Sequence, residues 1–411
     1  MLATLAIAVP SRAAEPPPDR YEPGVLPAIG GDTDVGFIFG AFVQLARFRD
    51  GAQPYSWRAR SFAAASVYDG PTGAELPYRE VYAGVDWPRL FGSRLRLIAD
   101  AGYTQTTNFG YYGIGNDRAT ERRWEQWQEG SDPYVAARRY YQYDGASAMG
   151  RVSGIYPVAR HWNWTSEASV RRVAVRSYDG SLLQQELEHG AGAGQKLWGT
   201  HEYVQPALGM GVSHDSRDHE TLTTRGMYHD ASVLCAPRMS GVEPYCRANV
   251  TLRGYVPIAR EKLSAAVRVL GDVLTSRAPL YELARYGGLA GGDSLAGGRG
   301  LRGAPAGRLQ GRTKVLANVE LRSFFLPFTV ASQNLVLGVG AFVDAGRVWV
   351  DPFASVRALD GRGAGLHWGV GGGPRLRWGD SLVVRADFAY SPLGGSLGVA
   401  PAIYVDVDQV M

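Results

Sequence analysis

The chain has 411 residues and a formal net charge of +4, with 53 Gly, 22 Tyr and 10 Trp but only 6 Met and 2 Cys. Hydrophobic residues make up 45% of it, yet no stretch approaches the roughly 18 consecutive apolar residues of a membrane helix. What remains is either a set of soluble domains or one large barrel, and short alternating segments with aromatic ends and glycine turns favour the barrel.

The first residues, MLATLAIAVPSRAA, carry a short apolar run and a small-residue exit at Ser11-Arg12-Ala13. They suit a signal segment over 1–14. Residues 15–33 (EPPPDRYEPGVLPAIGGDT) are rich in Pro and Gly and are expected to be a periplasmic linker, which leaves 34–411 as the barrel domain.

Period-2 alternation then sets in and persists. Strands are expected near 35–48, 58–69, 79–87, 94–106, 134–143, 146–158, 162–178, 200–215, 226–237, 245–257, 262–276, 312–327, 334–348, 366–378, 381–391 and 401–410. In 262–273, Leu263, Ala265, Val267 and Val269 oppose Ser264, Arg268 and Asp272. In 382–390, Leu382, Val384, Ala386 and Phe388 oppose Arg385 and Asp387. Lipid outside and water inside demand such a pattern, and backbone groups in lipid must all be paired, so the strands must close on themselves. The expected fold is all-β: a transmembrane antiparallel barrel of about sixteen strands. Counting from a periplasmic first strand puts the long 277–311 stretch outside the cell and the Trp378-Gly379-Asp380 turn inside. The same count puts 107–133 in the periplasm, where so long a connection fits badly. The last strand is short and carries Asp406 and Asp408, as a weakly held edge would.

Cys235 and Cys246 bracket CAPRMSGVEPYC. In an oxidising compartment they could close a loop tip between two strands, or stay as separate thiols; spacing leaves both open.

Residues 287–311 read GGLAGGDSLAGGRGLRGAPAGRLQG. A loop this long and this rich in glycine is expected to fold into the lumen as part of the function. The inward faces of two later strands are built to receive it: Gly338, Gly340 and Gly346 on one, Gly369, Gly371 and Gly373 on the other. The competing reading is that these glycines only curve the strands. Glu320 and Asp344 sit inward on neighbouring strands and need a cation in a partly dehydrated lumen. Arg302, followed by Gly303 at the loop tip, is the candidate, because its planar fork can bond both carboxylates.

Several chemical readings fail. GGLAGGDSLAGGRG lacks the Gly-Lys-Ser/Thr ending of a phosphate loop. His214, Asp215, Asp218 and His219 crowd a strand end, but Asp215 and Arg217 suit a structural pair. Seven His without clustered Cys give no metal spacing. No catalysis, cofactor, metal or nucleic-acid partner is expected.

The chain resembles the BamA/TamA-like bacterial surface antigen family. The resemblance rests on Arg302-Gly303 followed by GRLQG and VELR (Val319 to Arg322), on FVDAG (Phe342 to Gly346), on HDSRDHETLTTRG (His214 to Gly226), on YGIGND (Tyr112 to Asp117), on LPAIGGDTDVGFIFGA (Leu26 to Ala41) and on VVRADFAYSP near the C-terminus. It implies a sixteen-stranded barrel in the cell outer membrane and an extracellular loop folded inward, with Arg302 contacting Asp344 and Glu320. It also implies insertion or translocation of proteins or lipids, with a passive pore as the alternative. Outer-membrane lipid is the implied partner, together with unfolded outer-membrane proteins or separate periplasmic modules. Two departures stand out. Ala304 occupies the place where the family's loop carries an aromatic. The expected linker, fewer than ~25 residues, falls below the ~40 at which domains begin to fold alone, so POTRA modules are not expected in this chain.

Overall fold

Sixteen strands hydrogen-bond edge to edge around a closed antiparallel barrel. They are β1 (Arg20–Asp32), β2 (Gly36–Phe48), β3 (Trp57–Gly70), β4 (Tyr78–Trp87), β5 (Arg96–Gly110), β6 (Gln142–Ala159), β7 (Trp162–Ser177) and β8 (Tyr203–Asp215), followed by β9 (Gly226–Ala236), β10 (Tyr245–Ala259), β11 (Leu263–Leu274), β12 (Thr313–Val330), β13 (Gln333–Trp349), β14 (His367–Trp378), β15 (Leu382–Tyr390) and β16 (Ala402–Val407). The computed structural model describes residues 19–49, 55–219, 222–259, 262–275, 277–289, 293–330, 333–378, 382–395, 397, 401–407 and 410. The expected signal segment 1–14 and Asp408 lie outside the described residues.

Alternation of side chains is what closes the sheet with one face to lipid. On β12, Lys314, Leu316, Asn318, Glu320 and Arg322 are buried inward, while Val319 and Leu321 are each 45% exposed on the outer face. Successive β-strand side chains point to opposite faces, so charged and apolar residues part without any bend in the chain.

The two ends differ. Turns as short as 160–161 join strands at one end, whereas residues 111–141, 178–202, 275–312 and 350–366 rise from the other. Short turns mark the periplasmic rim and long loops the extracellular one.

Two expectations need correction. Residues 20–32 are not a linker but the first strand, paired with β2 along its whole length. Pro23 and Pro27 disguised it. The separate strand expected over 134–143 is absent: Asp132–Arg139 form helix α1, capped by Ser131, whose hydroxyl accepts from the Tyr134 N–H, with a proline in the first turn, and Gln142 and Tyr143 already belong to β6. The missed strand and the false one cancel, so the total of sixteen stands. The segment 107–133, however, moves to the extracellular end. There it joins α1 and helix α2 (Leu182–His189) in a cap over the barrel.

The closing seam is short. β1 pairs with β2 over thirteen positions, but with β16 only through Gly31 opposite Val405 and Asp32 opposite Tyr404 among the described residues.

Candidate functional site

After β11 the chain turns back into the lumen. It forms a short helix, α3 (Leu280–Leu283), then a two-stranded ribbon pairing Arg285–Tyr286 with Asp293–Ser294, before it reaches β12. Leu295, Leu301 and Leu309 are fully buried, together with Ala296 and Ala304, against Leu270, Leu316 and Val348 of the wall. Full burial of a leucine contributes about 1.5–3 kcal/mol, so the loop is held as a core element. Ala304 packs without exposure where the resemblance places an aromatic.

Arg302 lies at the turn of this loop with no exposed surface. Its Nε and Nη2 donate to the two carboxylate oxygens of Asp344 at 2.8 and 2.9 Å, and its backbone N–H donates to Asp344 at 3.1 Å. Nη1 donates to Glu320 at 3.1 Å. The guanidinium carbon sits 3.3 Å from the centre of the Phe342 ring, so an aromatic from β13 faces the arginine. Burial opposes the charge of Arg302, but Asp344, Glu320 and Asp387 outweigh it and raise its pKa above the ordinary arginine value.

Further residues join the cluster, and sequence reasoning missed their part. Asp387 of β15 accepts from Arg302 Nη1 at 3.3 Å and pairs with Arg375 of β14 at 2.6 Å and with Arg385. Arg375 also reaches Glu320 at 3.3 Å. The inward placement of Asp387 and Arg375 was readable from alternation, but their meeting with Arg302 was not. Asn318 ties the cluster back to the loop, donating to Asp344 at 2.7 Å and to the Gly300 carbonyl at 3.0 Å. Buried charges are tolerated where partners and hydrogen bonds saturate them.

The inward glycines divide by what stands over them. A Cβ on Gly369 would lie 2.1 Å from the Arg302 carbonyl, so here the loop backbone rests on the strand. Gly346 lies under Leu301 of the loop. Gly340 makes room for the Arg375 guanidinium, while a Cβ on Gly371 would meet both the Phe388 carbonyl of the neighbouring strand at 2.1 Å and the Phe342 ring at 2.6 Å. At Gly338 and Gly373 the near atoms are the backbones of Ser323 and Ala386 on neighbouring strands, not the loop. Of the six expected positions, Gly369 and Gly346 therefore touch the loop, Gly340 seats a side chain of the cluster, Gly338 and Gly373 bring strands close, and Gly371 both brings strands close and seats Phe342. In the loop, Gly303 has φ +86°, and a Cβ there would meet the Tyr390–Ser391 backbone at 2.6 Å, so glycine is required twice over.

The loop also bonds residues on both sides of the seam. Arg299 pairs with Asp406 of β16 at 2.9 Å, and the Gly303 N–H donates to the Tyr404 hydroxyl at 3.1 Å. On the other side the Ala306 N–H donates to Asp34, in the β1–β2 turn, at 2.9 Å.

Above the loop, Tyr111, Ile114, Leu183, Leu280, Leu283, Val350 and Leu359 close the extracellular end. Gly115, within YGIGND, bridges to Gln310. Glu282 of α3 pairs with Arg247 at 2.6 Å and Arg171 at 3.5 Å. Burial pushes its carboxyl up, but Arg247, Arg171, Arg285 and Lys314 outweigh that and hold it at about 2.

Cys235 and Cys246 stand opposite each other on β9 and β10, disulfide-bonded with Cα atoms 4.1 Å apart. Asp215 pairs with Arg217 at 2.8 Å in the β8–β9 turn, and Asp218 accepts from Thr224. Among the described residues no group of three or more His, Cys, Asp or Glu could hold a metal ion.

A sequence model of the Omp85 superfamily domain matches residues 83–394. Three solved structures share the fold. BamA from Haemophilus ducreyi lacking POTRA domains 1–3 superposes with a TM-score of 0.58 at 13% identity, over 95% of this chain and 70% of that one. CdiB from Escherichia coli gives 0.58 at 11% identity, over 98% and 63%. CdiB from Acinetobacter baumannii gives 0.51 at 12% identity, over 95% and 66%. This chain thus spans somewhat less than two thirds of each CdiB chain. No curated protein matches the sequence.

Proposed function

The chain belongs to the Omp85 superfamily of non-catalytic outer-membrane barrels, and on that premise we propose that it inserts or translocates proteins or lipids at the outer membrane by parting β1 from β16. The observation that carries this reading is the seam. Among the described residues every other junction of the barrel is zipped over at least six residue pairs, and this one over two. A junction so short is the first to open, and an opened sheet edge offers unpaired backbone groups to a client. Arg302 acts in this reading as the pin that holds the loop against Asp344 and Glu320, nearer to a BamA/TamA-like barrel than to a plain pore. BamA and CdiB lend the fold by analogy, and the activity rests on the seam.

The passive-pore reading has less support, since the loop core and the cap occupy the lumen. The test is to deplete the protein and profile outer-membrane proteins and lipids. A specific loss of some of them is expected. An unchanged profile, joined to large steady conductance in planar bilayers, would overturn the proposal in favour of the pore.

A further inference from the structure

The edge of β1 that faces the seam is unusual in its chemistry. In an antiparallel strand, alternate residues direct both N–H and C=O to one neighbour and the residues between them to the other. Two observations fix which residues of β1 look toward the seam. The Thr33 N–H, just past the strand, donates to the Ile403 carbonyl of β16 at 3.1 Å. The β1–β2 register runs from Arg20 to Asp32 without a shift, so the odd-numbered residues share that direction. The prolines agree: Pro23 and Pro27 are odd, and a proline survives in a fully paired strand only where its nitrogen points away from the partner. Below the two seam pairs, the seam-directed positions are therefore Tyr21, Pro23, Val25, Pro27 and Ile29. Two of the five have no N–H to give.

We infer that β1 carries a proline-guarded edge, which can stay unpaired in lipid and refuses a continuous transmembrane strand. The inference rests on the seam being the working element. An orphan N–H in hydrocarbon is costly, and Pro23 and Pro27 remove two of them from an edge that, among the described residues, β16 pairs only at Gly31 and Asp32. The same absence penalises an incoming strand. Opposite each proline the incoming strand's carbonyl would find no donor, and the prolines are four residues apart, so no register along this edge avoids both over the length of a transmembrane strand. A client strand can pair with β1 at its upper end, near Gly31, but cannot zip down it. Cargo is then guided past β1 rather than built onto it, which favours translocation over strand-by-strand insertion.

The probe is a synthetic peptide of about ten residues with alternating Val and Thr, the length of a membrane-crossing strand, bearing one central cysteine. The full chain carries Val25→Cys, a lipid-facing position on the guarded edge that is 69% exposed, with Cys235 and Cys246 already bonded to each other. In phosphatidylethanolamine/phosphatidylglycerol vesicles, disulfide adducts are compared between this chain and one also carrying Pro23→Val and Pro27→Val. A several-fold higher yield in the chain with restored donors is expected. Equal yields, high or low, would overturn the inference, because restoring the N–H groups would then not govern pairing. If the double replacement prevents folding, Pro27→Val alone restores one donor and must still raise the yield. The readout needs no client transport, so its outcome is independent of the depletion experiment.

Discussion

Arg302 and Asp344 meet in a two-pronged ion pair, with a third bond from the Arg302 backbone N–H to the same carboxylate. The backbone bond places the loop itself, not only its side chain, on β13. Side chain and main chain are therefore bound to a single acid.

Arg302→Ala should cost about 3–5 kcal/mol, the range for breaking a buried pair and leaving the partner charge unmatched. The loss should show as a lower temperature for the heat-modifiable shift in gel mobility. Arg302→Lys should recover less than half, because an ammonium cannot fork between Asp344, Glu320 and Asp387 as a guanidinium does. Unchanged mobility and unchanged protease sensitivity of the loop in the alanine variant would remove Arg302 from this role.

Gly369→Ala and Gly373→Ala separate two uses of glycine. At Gly369 the added methyl meets the Arg302 carbonyl, and at Gly373 it meets the Ala386 backbone of the next strand. Overpacking of this kind costs roughly 1–3 kcal/mol. Gly369→Ala should expose the 295–310 segment to external protease while the barrel stays folded. Gly373→Ala should lower barrel stability and leave the loop protected. Identical protease patterns would show that both glycines serve the wall.

The cap should weaken in acid. Glu282 is held at about 2 against an ordinary 4.5. A carboxyl depressed in the folded state contributes stability that is complete above about 4.5 and lost as the pH falls toward about 2. The contribution is at most about 3 kcal/mol. Trypsin-resistant fragments of the capped end, after brief exposure to pH 7, 4.5 and 2.5, should decline only in the last step. Glu282→Gln should be less stable at pH 7 and show a flatter acid response; an unchanged pH profile would exclude Glu282 as the source.

Replacing Cys235 and Cys246 by Ser removes a covalent link that closes a short loop. The entropic effect for a loop of this size is about 3 kcal/mol, and the β9–β10 pairing that persists without it should reduce the loss to about 1–2 kcal/mol. The residues between the two positions should become cleavable while the rest of the barrel keeps its protection. Maleimide should label the unreduced parent chain at neither cysteine.

Much of this was readable from the amino acids. Alternation located most of the wall because each strand has lipid on one side and charge on the other, as in Lys314 to Arg322 and Leu382 to Tyr390. It also set Glu320 and Asp344 on the inward faces of neighbouring strands, and their need for a cation, with the family resemblance, pointed to Arg302 in the loop. It failed where a local rule was overridden. Prolines ordinarily demote a strand, so 20–32 reads as a linker, yet where their nitrogens point away from the paired strand β2 they cost nothing. Tyr134 and Val135 look β-prone, but Ser131 and Pro133 start a helix there. The part played by Asp387 and Arg375 depends on how far the wall curves before it returns to the loop, and no periodicity encodes that curvature.

One consequence follows from the loop's bonds to Asp406 on one side of the seam and Asp34 on the other. Lumen filling and wall closure draw on the same contacts, so they are thermodynamically linked, and linkage is reciprocal. A molecule that displaces the loop from within must loosen the wall by the free energy it takes from those bonds. A lipid or polypeptide wedged in from the membrane must, by the same amount, ease the loop out of the lumen. The barrel therefore acts as an interlock, in which neither door moves without the other registering it.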